Sequence, residues 1–138
     1  MEQYFSISQP KLLTHIIFRK AEFQGRNNLI QPQEFLQVAA LDLKDGEEFK
    51  PHVHIWKPLE IVKTVAQEAW VVIEGVIETE LLDPDSNVLT FTNLNVGDCC
   101  ITLNGGHRYR SIGNSKVFEF KSGPYLGDVL DKLYVVLE

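Results

Sequence analysis

Apolar residues recur at every second position in short runs, and glycine, proline, asparagine and aspartate cut those runs at intervals near ten residues. Extended chain is the regular backbone that puts alternate side chains on one face, so the pattern predicts strands joined by tight turns. No stretch sustains the three-and-four spacing of a long amphipathic helix, which argues against a helical bundle. Residues 14–20 (THIIFRK) are β-branched and aromatic and predict a first strand, whereas 24–33, with Gly25 and Pro32, predict a loop. Residues 35–43 (FLQVAALDL) predict a buried strand that turns at Lys44-Asp45-Gly46 into a second one, 47–54 (EEFKPHVH). On that second strand Lys50, His52 and His54 share a face, and Pro51, lacking an N–H, predicts an edge or a bulge.

Residues 55–67 then form a longer connection containing Trp56 and Pro58. Residues 68–73 (EAWVVI) and 76–82 (VIETELL), split by Glu74-Gly75, predict a hairpin in which Gly75 supplies a φ that other residues resist. After the turn Asp83-Pro84-Asp85-Ser86, further strands are predicted at 88–94, 99–103, 107–112 and 116–121. The tail from 126 predicts a short helix or a last strand. The sum is about nine short strands, the signature of an all-β sandwich or barrel.

A chain of 138 residues with 44% apolar content supports one ordinary core, and no break in composition marks a second domain. Thirteen basic residues against 19 acidic give a net charge of −6, without the basic cluster of a nucleic-acid binder. No apolar run is long enough to span a bilayer, and Met1-Glu2-Gln3-Tyr4-Phe5 does not begin a secretory leader. Cys99 and Cys100 are adjacent, hence on opposite faces of a strand, and read as small buried groups in a reducing compartment. The expected location is cytoplasmic.

Histidine occurs four times, at 15, 52, 54 and 107. Chance gives roughly 0.1 His-x-His pairs in such a chain, so the pair at 52 and 54 matters through its context. Two imidazoles on one strand face are costly in a dry core unless each ring finds a partner, and a metal ion is one solution. His15, beside Ile16 and Ile17, reads as a satisfied core or edge histidine.

Gly46, five residues on to His52-Val53-His54, then Glu68 seven positions before Gly75, then Gly97-Asp98 and Gly105-Gly106-His107, resemble the two sequence motifs of the cupin superfamily. Thirteen residues separate His54 from Glu68, a longer gap than the family's usual one, and Leu103 stands where the second motif has proline. The resemblance covers about residues 35–125 and is strongest to small stand-alone cupins, several of which belong to bacterial surface-polysaccharide and nucleotide-sugar gene sets.

What the resemblance implies is a single cupin domain, a double-stranded β-helix or jelly-roll barrel, with a divalent transition metal (Fe, Mn, Ni, Zn or Cu) held inside it. Carried over by position, the ligands would be His52, His54, Glu68 and His107, with Trp70 and Tyr109 shaping a pocket for a small molecule. Lys50 would face an anionic ligand. An alternative borrows from metal-free sugar epimerases and isomerases, casting His52 or His107 as base and Tyr109 as acid; a third is a non-catalytic binding module. Exposed sheet edges lead us to expect a homodimer.

Overall fold

The computed structural model describes residues 1–54, 64–123, 127 and 132–135. Among these the fold is all-β, with one turn of 3-10 helix at Lys20–Glu22. The strands are β1 (Glu2–Phe5), β2 (Leu13–Phe18), β3 (Arg26–Asn28), β4 (Ala39–Leu41), β5 (Glu68–Leu82), β6 (Val88–Leu94), β7 (Cys99–Thr102) and β8 (Gly106–Lys121). Every pairing is antiparallel. The main sheet runs β1-β2-β7-β5-β6 with β8 along the other edge of β5, and β3 pairs β4 separately.

The hairpin expected at Glu74-Gly75 is not there, and neither is a break at Gly113. β5 and β8 are long strands of 15 and 16 residues that pair from Glu68↔Lys121 to Leu82↔Gly106. Gly75 and Gly113 have φ of 78° and 71°, and the register shifts on either side of Glu74. A positive φ in mid-strand produces a bulge and a bend, not a reversal, when a partner strand continues past it.

The ribbon consequently doubles over. Thr79, the cross-strand partner of Tyr109, lies nine positions beyond Trp70, about 30 Å along a straight strand. Yet the Trp70 and Tyr109 rings stack with centroids 4.2 Å apart. One half of β5 therefore belongs to the layer with β7, β2 and β1, and the other half to the layer with β6.

Alternate residues of the first layer feed two cores. Ile17, Val72 and Cys100 pack with Ile77, Leu81 and Leu94 between the layers. Ile16, Phe18, Ala69 and Ile101 pack on the opposite face against Leu29, Ile30 and Ala40. Each large apolar side chain so enclosed contributes about 2 kcal/mol, which is why the near-continuous apolar runs lie in these strands.

Two expectations fail in the segment before β5. The buried strand at 35–43 shortens to β4, whose partner β3 lies in the stretch expected to be loop. Residues 47–54 form no strand and are exposed throughout. Phe49 and Val53 are 54% and 87% exposed, so the segment buries no apolar face that would hold it to a sheet. Trp56, Pro58 and most of the tail from 126 fall outside the described residues. No helix among the described residues is long and apolar enough to cross a membrane.

Candidate acid–base site

The two layers bring their strand ends together at one place. Glu68 opens β5 and lies between Thr102, the last residue of β7, and Lys121, the last residue of β8. His107, near the start of β8, is the partner of Leu81 in the other layer. The doubled ribbon closes the distance: His107 Nε2 is 2.8 Å from Glu68 Oε1. On the other side of the ring, Thr102 Oγ1 is 3.0 Å from Nδ1. Lys121 Nζ stands 3.4 Å from Glu68 Oε2 and 3.6 Å from Glu119.

This geometry assigns the protons. A carboxylate only accepts, so Nε2–H of His107 donates to Glu68, and whenever Nδ1 carries no proton it accepts from the Thr102 hydroxyl. Burial raises the Glu68 pKa, but the hydrogen bond and charge of His107, with Lys121, outweigh it and hold the carboxyl below its usual value. Glu68 is 7% exposed, whereas the His107 side chain is 25% exposed and reaches a half-open cavity of about 760 Å³. Glu68, Thr102, Asn104, His107, Arg108 and Lys121 supply polar groups to its wall.

Behind the pair, Trp70, Tyr109 and His107 form a stacked column, with the Tyr109 and His107 centroids 4.6 Å apart. Burial drives the Tyr109 hydroxyl well above its usual pKa, with the neighbouring Cys100 adding to the effect. Tyr109 thus packs against the imidazole from behind and is not among the residues lining the cavity. His15 is fully buried, with Nε2 3.0 Å from the Gly106 carbonyl. Burial, then repulsion from His107, lowers its pKa to about 4 against the pull of that carbonyl.

Of the residues singled out in the sequence, Glu68, His107, Trp70 and Tyr109 come together, and His52 and His54 do not join them. The two rings face each other edge-on at 5.2 Å on the exposed 47–54 segment, where His52 Nδ1–H donates to the Lys50 carbonyl at 2.9 Å. Lys50 is exposed there too. Among the described residues no three His, Cys, Asp or Glu side chains gather to hold a metal ion. Thr102 and Lys121 were missed. A threonine ending an apolar strand and a lysine ending an alternating one carry no signal until the strands are paired.

Comparison of the chain with protein-family models, with curated proteins and with solved structures returns no match.

Proposed function

We propose that this chain is a cupin-type jelly roll that binds a small polar, sugar-derived molecule beside Glu68 and His107 and works on it by acid–base chemistry. The observation that carries this reading is the Glu68–His107–Thr102 chain of contacts at the cavity wall. A proton leaving a ligand hydroxyl passes to Thr102 Oγ1 as the Thr102 proton moves to Nδ1. The imidazolium so formed is stabilised by the Glu68 carboxylate, and the reverse transfer returns the proton. Support for the jelly roll is the long ribbon shared between two layers, which brings residues of both sequence motifs to one place.

The homodimer belongs to this proposal: β8 pairs only with β5 among the described residues, and Phe118 and Phe120 on it are more than half exposed. A cytoplasmic location is proposed as well, on the buried free thiols of Cys99 and Cys100. The metal remains a separate proposal, since it requires residues 47–54 to carry His52 and His54 to the pair. Elemental analysis of untagged protein and of the His52→Ala/His54→Ala variant decides it, and equal metal content in both refutes it.

The test of the main reading is a thermal-shift panel of nucleotide sugars, sugar phosphates and simple hydroxy acids, with product analysis for every hit. A ligand at 100 times its Kd adds about 2.7 kcal/mol to stability. We expect a hit that the wild type converts and that His107→Asn binds without converting. Stabilisation without conversion by the wild type identifies a binding module, and hits unaffected by Glu68→Gln and His107→Asn overturn the site.

A further inference from the structure

His15 supports the site from behind, and its chemistry is unexplained by packing alone. Its ring lies fully buried in β2, opposite Thr102 of β7 in the strand register. Its Nε2 reaches the carbonyl of Gly106, the residue before His107, at 3.0 Å. A carbonyl only accepts, so Nε2 carries the proton and the ring is a donor there. A methyl added to Gly105 would run into the same ring and into the Leu82 carbonyl, so the glycine lets the turn lie directly on the imidazole. The other nitrogen, Nδ1, has no hydrogen-bond partner among the described residues. A buried lone pair without a donor is a cost that a leucine or phenylalanine of similar bulk would not carry, so the single N–H must account for the histidine.

We propose that His15 is the positioning residue of the acid–base pair: its Nε2–H fixes the Gly106 carbonyl and so aims the His107 imidazole at Glu68. The proposal rests on the reading of Glu68 and His107 given above. His15 meets both supports of that ring. It is the cross-strand neighbour of Thr102, which holds Nδ1, and it holds the peptide that enters His107. With the donor gone, Asn104 still bonds to Thr14 and Leu13 of β2, but the Gly106 carbonyl itself has lost its side-chain partner, and the 2.8 Å contact to Glu68 loosens.

The experiment reads the ring nitrogens of His107 by ¹⁵N NMR in the full chain, which needs no substrate and leaves the question of activity separate. The result expected for the wild type is a single Nε2–H tautomer of His107, bonded to Glu68. His15→Gln keeps a donor that reaches the carbonyl and retains that tautomer. His15→Leu, without a donor, and His15→Asn, whose donor is too short, lower the Nε2–H fraction to about half, while amide exchange in β5 and β7 stays as in the wild type. A His15→Leu or His15→Asn protein that is less stable but keeps the wild-type tautomer makes His15 a packing residue and overturns the proposal. A wild-type His107 without the Nε2–H tautomer overturns the underlying pair instead. Should His15→Leu not fold, the Gln and Asn variants decide the matter alone.

Discussion

Replacing Glu68 by glutamine removes one charge without changing shape, and its cost follows from what that charge touches. The carboxylate accepts from His107 Nε2 at 2.8 Å and faces Lys121 Nζ at 3.4 Å, at a position only 7% exposed. Hydrogen bonds to a charged group contribute about 1.5–3 kcal/mol and neutral ones about 0.5–1.5, so weakening the His107 bond costs about 1 kcal/mol. Lys121, itself 15% exposed, keeps Glu119 at 3.6 Å but loses its nearer carboxylate, which adds about 1–2 kcal/mol. Against this, glutamine escapes the charge burial that raises the Glu68 pKa. The ion contacts win, because the net shift of Glu68 is downward. We expect Glu68→Gln to lose about 2 kcal/mol at neutral pH, near 8 °C in Tm for a chain of this size. A carboxyl whose folded pKa is depressed gives stability that is present above its unfolded pKa and is lost as pH falls through the folded one. The gap between wild type and variant in urea melts should therefore be full at pH 7 and shrink below about pH 4.5. A gap that is the same at pH 7 and pH 3, or a variant more stable than the wild type, would refute the reasoning.

Asp83 ties the amino-terminal segment to the β5–β6 turn, accepting from Ser6, from the Ile7 amide and from Asn87. Burial opposes its charge, but those donors bring its pKa to about 2, so Asp83→Ala should cost about 3 kcal/mol in urea melts at pH 7 and progressively less between pH 4 and pH 2. Gly75→Ala must place a methyl at φ 78° against the Asn114 carbonyl and Ser115; about 3 kcal/mol of lost stability is expected, and a change under 1 kcal/mol would contradict the bend. Burial pushes the Cys99 and Cys100 thiols up to about 12, so both should resist a thiol reagent in the native protein at pH 8 and react once urea unfolds it.

The all-β class and the strand at 88–94 were legible because they rest on local alternation; Glu68 and His107 were singled out through the cupin resemblance as ligands of one metal with His52 and His54, and the direct contact between them was not foreseen. The long strands were not. A glycine with positive φ reverses a chain in one setting and bends it in another, and Gly75 bends because β8 runs past it with Gly113 making the same turn. The segment carrying His52 and His54 misled for a related reason. Its polar residues alternate as a strand's would, but its apolar partners, Phe49 and Val53, find nothing among the described residues to cover them. Thr102 and His15 gain their proposed roles only from register, which places one opposite the other, Thr102 at the His107 ring and His15 at the Gly106 carbonyl behind it.

The site sits far from the elbow that assembles it. Seven positions of β5, about 23 Å of extended chain, separate Gly75 from Glu68. A swing of about 3° at the elbow carries the carboxylate through about 1 Å, a displacement of the order that costs enzymes two decades in rate. If the proposed chemistry holds, the strongest handle for tuning it is the glycine pair Gly75 and Gly113, which lies outside the cavity wall.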